Sequence, residues 1–161
     1  MHHIEEIADR IRLTFDARTA ARDRALSQTR TLIRYCANAI RAVHREERQL
    51  ALENLSQAKI LAKSLHTELA EYPDLYYAGY TQDALKEFAE ASIVYSLVLD
   101  DTLPDPEELG LEHATYLRGR AEVAGELRRR CLDILRHGHS KEAERMLSDM
   151  DDIYAVLITM D

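Results

Sequence analysis

The first seventy positions of this 161-residue chain lack the two residues that most often interrupt helices. Only three prolines and five glycines occur, none of them before Pro73 and Gly79. Because proline and glycine are the least favourable residues inside a helix, this region is expected to form long helices. Tryptophan is absent, and the two cysteines, Cys36 and Cys131, match no metal-ligand spacing. A disulfide scaffold is therefore not indicated, and a reducing compartment is the simpler interpretation.

Long apolar runs are also missing. Residues 1–18 are amphipathic and charged, without the apolar stretch that a signal peptide or a membrane span requires. The sequence therefore predicts a cytoplasmic protein. Its length fits one domain, residues 1–161, that buries roughly two thirds of the surface exposed by the unfolded chain.

Apolar residues recur throughout with helical spacing, and no β-strand pattern competes with it. The expected fold is all-α, a bundle of about six to seven helices. Residues 100–110 form the one clear loop, because they contain Pro104, Pro106 and Gly110. The predicted helices cover residues 4–16, 19–49, 51–71, 81–100, 113–137 and 140–160, with a further short turn of helix at 75–79.

Net charge is −8, which by itself argues against binding a polyanion, but the charge is unevenly distributed. Residues 1–50 carry ten arginines and seven acids, whereas the remainder carries eleven basic and twenty-two acidic residues. No acid lies between Arg24 and Arg45. Basic and acidic surfaces are therefore expected on different parts of the protein.

The second predicted helix carries its arginines on one side. At 100° per residue, five arginines fall within an arc of about 60°. One of them is Arg48, and we call the other four the arginine stripe. The stripe consists of Arg30, Arg34, Arg41 and Arg45. Solvated helix faces usually alternate charge, so a row of like charges favours anion binding, although a plain solvated face is an equal alternative. The predicted core stripe of this helix contains Leu26, Thr29, Ile33, Cys36, Ile40 and Val43.

Two pairs of carboxylates lie on two later helices. Glu87 and Glu90 continue the stripe of Val94 and Leu97, which is expected to enter the core, so these acids need a partner. Glu122 and Glu126 lie one turn apart on the helix 113–137. For this second pair, surface ion pairs of Glu122 with Arg118, and of Glu126 with Arg129 or Arg130, are the simpler interpretation.

Two mid-helix glycines, Gly119 and Gly125, weaken that simpler interpretation. Each costs about 1 kcal/mol relative to alanine, which is understandable where another backbone or a ligand comes close. If the four glutamates converge, their hard oxygen ligands suit Mg²⁺ or Mn²⁺, which serve phosphodiester hydrolysis. A ferritin-like di-iron site is not indicated, because no glutamate has a histidine three residues later.

Two segments resemble the signatures of the translin family, and in particular its translin-associated factor X branch. The first is YYAGYTQDALKEFAEA at 76–91. The second includes ELG at 108–110, YLRG at 116–119 and AEVAGEL at 121–127, followed by Arg129 and Cys131. The resemblance extends over nearly the whole chain from about Arg22, including the arginine-rich helix.

The resemblance implies a superhelical all-α fold, a closed hollow homo-oligomer that is typically an octamer, and RNA held inside by basic residues. In the factor X branch it implies Mg²⁺-dependent endoribonuclease activity. Glu87, Glu90 and Glu126 match the family's catalytic glutamates, and Glu122 stands where the animal proteins have aspartate. All four are thus predicted catalytic and metal-binding residues. Nucleic-acid contacts are predicted for the arginine stripe, from its charge arc, and for Arg129.

Two other functions remain open at the level of the sequence. A non-catalytic oligomer that binds single-stranded RNA or DNA would use the arginine stripe and leave the four glutamates as surface ion pairs. A helical scaffold that binds protein through its apolar stripes would have no affinity for RNA. Apolar residues on several helix faces favour homo-oligomerisation in each case.

Overall fold

A computed structural model describes residues 2–99, 101–138 and 140–160, so Asp100, the first position of the predicted loop, lies outside it. Within these ranges the chain forms seven α-helices and no β-strand. The helices are α1 (His2–His44), α2 (Arg48–Glu68), α3 (Pro73–Tyr76), α4 (Gly79–Val98), α5 (Pro106–Leu109), α6 (His113–Leu135) and α7 (Lys141–Leu157). None of the described helices combines the length and apolar character needed to cross a membrane.

The predicted helices that follow α1 are confirmed, with ends shifted by at most three residues. The predicted break near residue 17 is wrong, because α1 continues through it without a proline, a glycine or a cap. The real break comes earlier than predicted, at 45–47, where Glu46 adopts a left-handed backbone with φ 62°. Part of the predicted loop is also helical. Pro106 begins α5, and a reciprocal capping box between Asp105 and Glu108 stabilises it.

Helix α4 lies at the centre of the fold and is buried along most of its length. Helices α1 and α6 pack on it, α2 packs on α1 and α4, and α7 packs on α6. One apolar core joins these helices, with Leu32, Leu65, Phe88, Leu127 and Met146 among its fully buried side chains. The predicted burial of the second half of α4 is confirmed.

The buried face of α1 differs slightly from the predicted stripe. Thr29, Cys36, Ile40 and Val43 are buried as expected, but Ile33 is 39% exposed and Leu26 is half-buried. Leu32 takes the core position instead. The predicted stripe is one residue off because α1 is covered on two sides, by α2 and by α4, so its buried arc is centred between them.

Candidate metal and nucleic-acid site

Three of the four predicted glutamates meet where α4 and α6 cross. Glu87 and Glu90 come from the first half of α4, and Glu122 comes from the middle of α6. One carboxylate oxygen from each lies within 4.8 Å of the other two. We call these three residues the carboxylate cluster. Their different exposure gives the cluster a buried end at Glu90, which is 7% exposed, and a solvent-facing end at Glu122.

A close helix crossing brings the cluster together, and Gly119 makes that crossing possible. A Cβ atom built on Gly119 would lie 2.6 Å from the Cβ of Ala89 and 2.8 Å from the carbonyl oxygen of Lys86. Only glycine fits this contact, so the predicted close approach at Gly119 is confirmed. At Gly125, by contrast, an added Cβ atom would meet no atom of the described chain within 4 Å.

The buried end of the cluster is electrostatically strained. Glu90 has no hydrogen-bond or ion-pair partner among the described residues. Burial, together with the negative charges of Glu87, Glu122 and Glu126, raises the pKa of Glu90 to about 8. Burial and the charges of Glu87 and Glu90 also raise the pKa of the Cys36 thiol on α1 well above its usual value. A carboxyl group placed in this way favours a nearby cation.

Glu126 lies close enough to influence Glu90 but is not part of the cluster. Its Oε2 atom lies 2.5 Å from Nε2 of His44, the last residue of α1. The His44 side chain is 7% exposed, and its other ring nitrogen, Nδ1, is buried without a partner in the described chain. An Nε2–H group of His44 can donate to Glu126 and fix the orientation of that carboxylate.

Arg130 fixes the backbone that carries His44. This guanidinium is buried and donates to the carbonyl oxygen of His44 at 3.2 Å. It also pairs with Glu46 at 2.5 Å and with Glu142 at 3.2 Å. Arg130 thus ties together the end of α1, the turn before α2 and the start of α7, and it explains why Glu46 can hold a left-handed conformation.

Lys86 provides the positive charge next to the cluster. Its Nζ atom lies 2.7 Å from Glu122 Oε1 and 3.2 Å from Glu87 Oε1, and its side chain is 12% exposed. Burial alone would lower the pKa of Lys86, but its hydrogen bonds to the two glutamates raise it above the usual value. The surface ion pairs expected from the sequence are wrong in their partners. Glu122 pairs across the helix crossing with Lys86, and Arg118 pairs with Asp83.

Sequence reasoning missed both Lys86 and His44. Lys86 is adjacent to Glu87 in the chain, which is a weak signal, because neighbouring residues on a helix usually point in different directions. His44 lies 82 positions from Glu126. Its one sequence signal is its place at the C-terminal end of a long arginine-rich helix, which does not specify a partner.

The predicted nucleic-acid residues are exposed. All four members of the arginine stripe, and Arg129 on α6, face solvent. Arg41 donates to Asn38 at 2.5 Å, and no ion pair holds Arg30, Arg34 or Arg45 within the described part of the chain. The stripe occupies the solvent side of α1, whose opposite side contacts α4. The same helix therefore carries exposed cationic groups on one side, while on its other side Cys36 lies near the carboxylate cluster and His44 contacts Glu126.

By sequence, the chain is similar to a known protein but matches no protein-family model. An uncharacterized protein of Methanocaldococcus jannaschii is 31% identical over 144 residues, which are 88% of this chain and 64% of that protein. The chain thus spans somewhat less than two thirds of this relative's length.

Solved structures of C3PO proteins share the fold. The crystal structure of AfC3PO superposes with a TM-score of 0.82 at 30% identity, covering 98% of this chain and 80% of that one. The structure of AfC3PO in a duplex RNA complex gives a TM-score of 0.81 at 30% identity over 98% and 78% of the two chains. The crystal structure of apo-NeC3PO gives 0.89 at 23% identity over 96% and 82%, which supports the fold alone.

Proposed function

This chain belongs to the translin-type family of C3PO proteins, and from that premise we propose that it is an RNA-binding, divalent-metal-dependent endoribonuclease. The observation that carries the proposal is the carboxylate cluster. Its three carboxyl groups place oxygens within 4.8 Å of one another, and the single positive charge of Lys86 offsets only part of their mutual repulsion when all three are ionised. Retention of all four predicted acids further favours the factor X branch of the family.

The residues of the cluster fit Mg²⁺ or Mn²⁺ by their chemistry. They supply only hard oxygen ligands, and the buried Glu90 carboxyl has no partner in the described chain. Glu87, Glu90 and Glu122 would hold the ion. When bound, a divalent cation supplies positive charge to the scissile phosphate and lowers the pKa of water.

In this proposal Glu126 is the proton acceptor. His44 holds its Oε2 atom, which leaves Oε1 free to take the proton from the attacking water molecule. Its side chain is 24% exposed, so solvent and substrate can reach it. Metal ligation by Glu126 stays a prediction. Its contact with His44 favours the role of a general base instead.

The arginine stripe supplies the RNA-binding surface. Guanidinium groups that lack carboxylate partners can each engage two phosphate oxygens, so they bind the backbone without reading its sequence. Arg129 extends this surface on α6. Duplex RNA bound to AfC3PO supports RNA as the ligand of this chain, with single-stranded RNA and DNA as further candidates.

Assembly of several copies follows from the exposed apolar residues. Ile4, Ile7, Ile11 and Phe15 follow one another at intervals of about one turn near the start of α1, and all four are exposed. Leu147, Tyr154 and Ile158 are exposed near the end of the chain. Apolar patches of this kind usually mark interfaces. A closed homo-oligomer, with an octamer as the specific expectation, would place the arginines inside and the acidic surface outside.

The test is an RNA cleavage assay on single-stranded and duplex substrates, with Mg²⁺ or with EDTA. We expect cleavage only with the metal, and its loss in Glu90→Gln and Glu126→Gln while RNA binding is retained. The exposed glutamate Glu71, which follows α2, provides the matched control Glu71→Gln. Loss of RNA binding in the two site variants would count against their assignment to the chemical step.

A non-catalytic RNA-binding oligomer is the second candidate. One observation favours it, since Lys86 already forms ion pairs with two of the three clustered carboxylates. This function predicts RNA binding with steep salt dependence and no cleavage in any divalent metal. The same assay therefore separates the two functions.

A further inference from the structure

The side chain of Lys86 contacts two of the three carboxylates that would hold a cation. Its ammonium group lies 2.7 Å from Glu122 and 3.2 Å from Glu87. Both contacts use the Oε1 atoms of glutamates that belong to the carboxylate cluster. A divalent ion and the ammonium group thus compete for the same carboxylates, because two cations held this close together repel each other and each weakens the binding of the other.

The backbone at Lys86 has little freedom to move. Its carbonyl oxygen lies 2.8 Å from the place where a side chain on Gly119 would begin, so α4 and α6 are in direct backbone contact there. The lysine side chain, in contrast, has four flexible methylene groups. Competition with a cation is therefore resolved by a change of the side-chain conformation, while the helix crossing stays in place.

We propose that Lys86 is a displaceable counter-ion that competes with the divalent cation for Glu87 and Glu122 and thereby sets the metal affinity of the cluster. This inference rests on the proposed function, because it requires that the cluster binds a divalent cation. It assigns Lys86 a control of metal affinity rather than a part in the chemical step.

Removal of the lysine charge has opposite effects with and without metal. Without metal, the glutamates lose their neutralising partner and repel one another, so the protein unfolds more easily. With metal, no lysine contacts need to be broken before the ion binds. We expect about tenfold tighter binding of Mn²⁺, which corresponds to about 1.4 kcal/mol.

The experiment is a calorimetric titration of the full chain with Mn²⁺, combined with thermal unfolding in EDTA and in Mn²⁺. The variants are Lys86→Met and Lys86→Gln, which remove the charge, and Lys86→Arg, which keeps it. The matched control is Lys63→Met, at an exposed lysine on α2. We expect both neutral variants to bind Mn²⁺ more tightly, to unfold at lower temperature in EDTA, and to gain more stability from Mn²⁺ than the wild type.

Other outcomes would refute either the role of Lys86 or the proposed function on which it rests. Equal Mn²⁺ affinity in the wild type and the neutral variants, with reduced stability in both buffers, would make Lys86 a structural residue only. Unchanged affinity together with lost RNA cleavage would make it a catalytic residue. No Mn²⁺ binding by the wild type, and no binding by either neutral variant, would refute the metal site itself and with it the proposed function.

Discussion

Replacing Gly119 by alanine tests the helix crossing on which the carboxylate cluster depends. The added Cβ atom would lie 2.6 Å from the Cβ of Ala89, whereas carbon atoms normally approach to about 3.5–4.0 Å. Two further neighbours, the carbonyl oxygen of Lys86 and the amide nitrogen of Glu90 at 3.1 Å, belong to the backbone and cannot rotate away. Helices α4 and α6 must therefore separate by about 1 Å.

The expected loss of stability is the difference between two effects. Overpacking of this kind costs about 1–3 kcal/mol, and removal of a glycine from a helix interior returns about 1 kcal/mol. We expect Gly119→Ala to lower the free energy of unfolding by up to about 2 kcal/mol, and each kcal/mol lost should lower the melting temperature by roughly 2–4 °C. Divalent metal affinity should fall as well, because the cluster takes two carboxylates from α4 and one from α6.

Gly125 offers a matched control six positions further along α6. It has an ordinary helical backbone and open space around it, so Gly125→Ala should stabilise the protein by about 0.5–1 kcal/mol. Urea unfolding of the two variants and the wild type measures both changes. Equal stabilisation by the two alanines would refute the close contact between α4 and α6 and the account of how the cluster is assembled.

Three further predictions concern charge. In EDTA, the wild type should lose roughly 1.4 kcal/mol of its free energy of unfolding for each unit by which pH rises between about pH 4.5 and 8, because the folded protein keeps a proton on Glu90 that the unfolded chain has released. Urea unfolding should show that Glu90→Gln removes this dependence on pH. His44→Ala should slow RNA cleavage about 10–100-fold without weakening RNA binding, whereas His44→Gln, which keeps an N–H donor for Glu126, should lose less. The double change of Arg30 and Arg34 to glutamine should weaken RNA binding and reduce the slope of log K against log salt by about 1.4–1.8.

Each of these three predictions has a control variant that separates the effect of the named residue from a general effect of changing charge. Glu71→Gln should leave the pH dependence of stability unchanged, and a similar change there would remove the special role of Glu90. Arg12, which is paired with Asp9 on α1, provides the control for the arginine stripe. Equal loss of RNA affinity in Arg12→Gln would indicate a diffuse charge effect, and equal cleavage by both His44 variants would indicate that the hydrogen bond is unimportant.

Helix boundaries were predictable where local chemistry determines them. The cap at Ser140 acts within a few residues, and the predicted ends of α4, α6 and α7 lie within three positions of those observed. The capping box at Asp105 is equally local, but the prolines and the glycine of this segment led to the prediction of a loop, so α5 was missed. The turn at Glu46 was not predictable. A glutamate there has no local reason to adopt a left-handed conformation, and Arg130, 84 positions away, stabilises it.

The carboxylate cluster was also predictable only in part. The spacing of Glu87 and Glu90, and their place on a stripe that enters the core, indicated that they need a partner, which could be an arginine, a metal ion or water. The identity of the partners depends on how α1, α4 and α6 cross, which no periodicity within one helix specifies. Lys86 reaches Glu122 over 36 positions, and His44 reaches Glu126 over 82.

The uncovered first half of α1 has a consequence for hydrogen exchange. Residues 3–20 bury almost nothing against the rest of the described chain, so only the helix itself protects their backbone amides. An isolated helix of this length is marginal in water, and its amides should exchange far sooner than those from Ala21 to Val43. Protection that grows with protein concentration at Ile7 or Ile11 would report directly on the association of subunits. The same helix thus provides, residue by residue, a measure of how strongly the protein assembles.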